Sequence, residues 1–116
     1  MSQILAGQVA MVTGSDSGIG QATAVEFARE GAAVAINYLE DREGAESTRH
    51  QVEAAGARAV VVQADISKED EVERLFARCN EALGAPTILV NNAGVDASGK
   101  RVIARTVYDG RSARNT

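Results

Sequence analysis

At 116 residues, 45% hydrophobic and 24% charged, the chain has the make-up of one globular unit, and a unit of this size buries only roughly 65% of the surface its unfolded form exposes. Its formal charge of −4 hides an asymmetry, since residues 1–96 carry 7 basic and 15 acidic side chains whereas residues 97–116 carry 5 and 1. An acidic body argues against nucleic-acid binding, no apolar run approaches the ~20 residues of a membrane span, one cysteine cannot make an intrachain disulfide, and Cys79 with His50 makes no metal set.

In chain order, residues 8–13 form the first short β-like run, and a helix is predicted from Gly18 to just before Gly31, with Gly20, Ala24, Phe27 and Ala28 facing a sheet. Residues 33–37 give a second strand. Residues 44–55 give a weaker, exposed helix whose apolar content is Ala45, Val52 and Ala55. A third strand, 58–62, precedes the best-marked helix, where Val72, Leu75, Phe76, Cys79 and Leu83 share one face. Ser67 is its expected N-cap, Glu69, Asp70 and Glu71 suit the positive end of the helix dipole, and Gly84 and Pro86 end it. A fourth strand follows at 87–91. The strand starts fall 25, 25 and 29 residues apart, which leaves room for one helix each and predicts βαβ units in a doubly wound parallel sheet.

The stretch that carries chemistry is Thr13-Gly14-Ser15-Asp16-Ser17-Gly18-Ile19-Gly20, which runs from the first strand into the first helix. Unpaired N–H groups and the dipole at a helix N-terminus attract phosphate, and glycines let the backbone approach it. Gly14 permits the tight turn, Gly18 leaves space for phosphate oxygens, and Gly20 lets the helix pack close to the strand. Asn91-Asn92-Ala93-Gly94 follows the fourth strand in the same chain.

With both motifs in this order, residues 9–95 resemble the short-chain dehydrogenase/reductase family, and the similarity extends toward Val102. The resemblance implies a Rossmann-type fold of strand order 3-2-1-4 over residues 1–96 and a bound NAD or NADP. It implies that Ser15 and Ser17, with the backbone of Gly18 and Ile19, hold phosphate and ribose beside Gly14 and Gly20. It also implies that Asp65, with Ile66 beside it, contacts the adenine, and that Asn91, Ala93 and Gly94 line the nicotinamide ribose. Asn37, a candidate cofactor contact near the end of the second strand, neither binds ribose hydroxyls as a carboxylate would nor repels the extra phosphate of NADP. No Arg or Lys occupies positions 15–17 or 37–39, and Arg42 is the nearest cation, so use of both nucleotides is expected, with NADP slightly favoured.

Members of this family transfer hydride between nicotinamide and an alcohol, sugar or ketone, using a serine and a Tyr-x-x-x-Lys pair. Within these residues Tyr38 is followed four positions on by Arg42 and Tyr108 by Ser112, so no catalytic residue is assigned, Asn115 included. The chain is therefore expected to be the cofactor-binding part of an oxidoreductase, inactive alone. The alternatives are a non-catalytic dinucleotide-binding module and a non-functional truncation product. Small-molecule substrate would engage only the full-length relative, and the native oligomer is not expected of this fragment.

The first residues show no export leader, so a cytoplasmic setting is expected. Residues 97–116, Arg-rich and without apolar periodicity after about Val102, read as a shifted reading frame, an artificial boundary or a poorly matching start of the next helix. A 3-2-1-4 order would leave the fourth strand as an unpaired edge, which predicts low stability or self-association. Cys79 reads as core and His50 as surface.

Overall fold

The computed structural model describes residues 3–92 and, for its backbone, residues 106–109. Its elements are β1 (Val9–Val12), α1 (Gly18–Arg29), β2 (Ala33–Tyr38), α2 (Arg42–Ala54), β3 (Ala59–Gln63), α3 (Glu69–Ala82), β4 (Ile88–Asn91) and β5 (Thr106–Asp109). They form one sheet of order β3-β2-β1-β4-β5 in which β1 to β4 run parallel and β5 pairs antiparallel to β4. The parallel 3-2-1-4 order is as expected. The unpaired fourth strand is not, because β5 lies along β4 with Leu89 opposite Tyr108 and Val90 opposite Val107.

Strands β1 and β2 are buried at every position, as parallel strands covered on both faces must be. Alternate residues divide the core between the two faces. Val12, Val34, Ile36 and Val90 meet Ala24 and Ala28 of α1 and Ala45 and Val52 of α2. Val9, Met11, Ala33, Ala35 and Val62 meet Leu75, Cys79 and Leu83 of the third-helix stripe. Fully burying a side chain such as Met11, Ile36 or Leu75 is worth about 1.5–3 kcal/mol each, against about 0.3–0.5 kcal/mol for a surface pair such as Arg29–Glu26. The two apolar clusters therefore hold the sheet together.

Two helix starts differ from expectation. Helix α2 begins at Arg42 because Asp41 caps it, its carboxylate accepting from the Gly44 N–H at 2.9 Å. Helix α3 has Lys68 at its N-cap, since the Ser67 hydroxyl donates instead to Asp65 Oδ1 at 2.7 Å. At its other end Gly84, at φ +109, accepts the left-handed turn that stops α3, with its N–H directed to the Cys79 and Asn80 carbonyls. Among the described residues no helix is long and apolar enough to cross a membrane.

Candidate functional site

Four parallel strands deliver their C-terminal ends to one rim of the sheet, and the order reverses beside β1, whose neighbours are β2 and β4. Such a switch point opens a crevice beyond the strand ends. The glycine-rich turn after β1, Asn37 in β2, Asp65 and Ile66 after β3, and Asn91 with Asn92 at the end of β4 all lie on this rim. Ala93 and Gly94 fall outside the described residues.

The turn is stitched to both neighbouring strands. On the β2 side the Gly14 N–H donates to Asn37 Oδ1 at 3.1 Å, the Ser15 N–H to the Asn37 carbonyl at 2.9 Å, and the Asn37 N–H to Ser15 Oγ at 3.1 Å. The Asn37 amide nitrogen donates onward to the Val62 and Ala64 carbonyls at 3.3 and 3.2 Å, so its side chain is consumed inside the protein. Ser15, fully buried, likewise spends its hydroxyl on the Val12 carbonyl at 2.7 Å. Both side chains shape the turn from within.

On the β4 side, Thr13 Oγ1 lies 3.1 Å from Asn91 Oδ1 and accepts the Asn92 N–H at 2.9 Å, while Asn92 Nδ2 donates to the Gly14 carbonyl at 3.2 Å. Gly20 is the hinge of this arrangement. A methyl group there would collide with the Gly14 carbonyl oxygen and come within 2.6 Å of Asn92 Nδ2, so only glycine lets α1 start this close to the strand exits.

Ser17, Gly18 and Ile19 form the exposed lip, and Ile19 is 61% exposed despite its apolar side chain. Gly18 has φ +57, a left-handed conformation natural to glycine, and the space a Cβ would enter is open. Helix α1 starts here with no side-chain cap on Ser17 and no acidic residue in its first turn, whereas α2 has Asp41 and Glu43 and α3 has Glu69, Asp70 and Glu71. Of the three described helices, α1 is the one with neither a side-chain cap nor an acidic residue in its first turn.

Two carboxylates border the rim. Burial pushes the Asp16 carboxyl above its ordinary value, against a bond from its own backbone and with the Asp41 charge adding to the rise. Asp65 is held below the ordinary value by the Ser67 hydroxyl and N–H on Oδ1, which leaves Oδ2 outside those bonds. Away from the rim, burial of the Cys79 thiol pushes it up to about 11, in keeping with a core residue. No cluster of metal-ligating side chains occurs among the described residues.

Two residues of the rim, Gly44 and Thr48, lie outside the motif reading of the sequence, and two more, Thr13 and Asn92, fall inside the motifs without a role assigned to them there. The signal for Thr48 is its place on the buried stripe of α2 with Ala45 and Val52, where a threonine marks a buried hydrogen bond, and for Gly44 its place one turn earlier on the same side, where a glycine marks close backbone approach.

Residues 8–108 match the family model described as short chain dehydrogenase. General stress protein 39 of Bacillus subtilis is 42% identical over 90 residues, 78% of this chain and 32% of that protein. 3beta-hydroxysteroid dehydrogenase 1 of Eggerthella lenta is 45% identical over 92 residues, 79% of this chain and 35% of that protein. The crystal structure of a dehydrogenase/reductase from Sinorhizobium meliloti 1021 superimposes with a TM-score of 0.77 at 45% identity, covering 81% of this chain and 37% of that one. The chain spans about a third of the length of the curated relatives it matches.

Proposed function

Because the chain belongs to the short chain dehydrogenase family, we propose that its residues form the dinucleotide-holding part of an NAD(P)-dependent oxidoreductase acting on an alcohol, sugar or ketone, and bind the nucleotide without turning it over alone. The observation that carries this reading is the start of α1. It has no side-chain cap and no acidic residue in its first turn, and it is fronted by the open Gly18 at the reversal point of the sheet. A pyrophosphate there accepts from N–H groups of the first turn, and the dipole of α1 favours its charge.

The other rim residues have separate tasks. Asn37 and Ser15 hold the turn rigid through the buried bonds they share with it, so that little order is lost on binding. Asp65 offers Oδ2 to an exocyclic amine of adenine, with the half-buried Ile66 against the ring. Asn91, with Ala93 and Gly94 beyond it, borders the nicotinamide ribose. The bound nucleotide supplies or takes up the hydride. NADP is slightly favoured over NAD, because β2 ends Asn37-Tyr38 without a carboxylate and Arg42 opens the next helix.

The test is titration of the purified 116-residue chain with NADPH and with NADH, following cofactor fluorescence and the thermal midpoint together. Saturable binding with a rising midpoint is expected for both, tighter for NADPH. At a nucleotide concentration 100 times Kd the stabilisation would be about 2.7 kcal/mol, or roughly 10–20 °C in a unit of this size. A midpoint that does not move at millimolar nucleotide would overturn the reading.

A further inference from the structure

We propose that Thr48 and Gly44 of α2 are positioning residues for the dinucleotide, holding the glycine-rich turn in the shape that receives phosphate. This rests on the dinucleotide reading above. Thr48 is fully buried, and its hydroxyl lies 2.7 Å from the Ser15 carbonyl oxygen and 3.1 Å from the Gly44 carbonyl oxygen of its own helix. Its single proton goes to the shorter contact. The same oxygen accepts from Gln21 Nε2 of α1 at 2.8 Å, so one hydroxyl joins two helices to the turn between them. One turn earlier in α2, a methyl group on Gly44 would collide with the Asp16 carbonyl oxygen.

Two consecutive carbonyls of the turn, Ser15 and Asp16, are thus directed at α2. In a planar trans peptide the N–H points opposite to the carbonyl. The N–H groups of Asp16 and Ser17 are therefore turned away from α2, and Ser17 belongs to the exposed lip. Without the Thr48 hydroxyl the Ser15 carbonyl would have lost its bond, and the Ser15–Asp16 peptide would be free to reorient. Sequence separation explains why motifs miss this, since Thr48 reaches Ser15 across 33 residues.

The experiment compares Thr48→Val, which keeps the shape and removes the hydroxyl, with Thr48→Ser, which restores it. NADH and NADPH affinities are read by cofactor fluorescence, and amide hydrogen exchange is read without nucleotide. For Thr48→Val the expected result is an approximately tenfold rise in Kd, from the loss of one buried hydrogen bond. Exchange should quicken at the Gly14 and Ser15 amides, which donate to Asn37, while amides of the β1–β2 ladder stay as protected as in the parent. Thr48→Ser should return both readouts to parental values. A parental Kd in Thr48→Val, or exchange rising equally in the ladder, would overturn the positioning role. If the parent itself binds neither nucleotide, the dinucleotide reading fails separately, and the exchange pattern alone decides whether Thr48 holds the turn.

Discussion

At the scale of single residues the rim mixes side chains that face a ligand with side chains spent on the protein, and chemistry tells them apart only once partners are known. Ser15 and Ser17 read alike in the motif, yet Ser15 is buried against Val12 and Asn37 while Ser17 stands exposed at the helix start. Asp16 between them is the one member under electrostatic tension, its carboxyl raised above 3.8 by burial and then by Asp41. A group whose folded pKa is raised favours folding most below its unfolded pKa, and that contribution is lost as pH rises through the folded value. At neutral pH the ionised Asp16 therefore costs stability. Asp16→Asn should raise the thermal midpoint at pH 7, and its advantage should shrink as pH falls toward 3.8. A difference from the parent that stays constant across that range would show that charge is not the cause.

At the scale of elements, α1 depends on two glycines for different reasons, and substitution separates them. Alanine at Gly20 meets the Gly14 carbonyl and Asn92, which are backbone and a bonded side chain, so α1 must shift as a body. Overpacking of this kind costs about 1–3 kcal/mol. Alanine at Gly18 meets nothing, and its cost is the left-handed backbone at φ +57, about 1–2 kcal/mol. Its methyl group would, however, stand in the space proposed for phosphate. Gly18→Ala should therefore lose nucleotide affinity out of proportion to its loss of midpoint, whereas Gly20→Ala should lose both together. Equal ratios in the two variants would count against a phosphate at Gly18.

Local signals made these elements readable. The glycine spacing placed α1, and the 3.6-residue stripe from Val72 to Leu83 placed α3, because those patterns are consequences of helix geometry. The start of α2 was obscured by its polar first turn, Arg42-Glu43-Gly44, which carries no periodicity. The cap of α3 was misplaced because Ser67 had a competing partner in Asp65 two residues away. Likewise Thr48, Asn92 and the inward turn of Asn37 depend on contacts between distant strands and helices, which no window of sequence contains.

At the scale of the whole molecule the consequential difference is β5. Its sequence, Thr106 to Asp109, lies in an Arg-rich stretch without apolar rhythm, and an antiparallel return onto β4 is set by pairing rather than by composition. With β5 in place, the outer strands of the sheet are β3 and β5, and the β4 edge that would template another chain is covered. Self-association through β4 is then expected of a shortened chain and not of this one. A variant ending at Asn92 removes a ladder of four residue pairs, from Ile88–Asp109 to Asn91–Thr106. Each backbone hydrogen bond lost is worth roughly 0.5–1.5 kcal/mol net, and each kilocalorie about 4–8 °C of midpoint in a unit of this size. The shortened chain should melt several degrees lower and sediment as concentration-dependent oligomers, with the 116-residue chain monomeric under the same conditions. Monodisperse monomers of both lengths with equal midpoints would mean that β5 contributes nothing to the sheet. Oligomers of both lengths would mean that association runs through another surface.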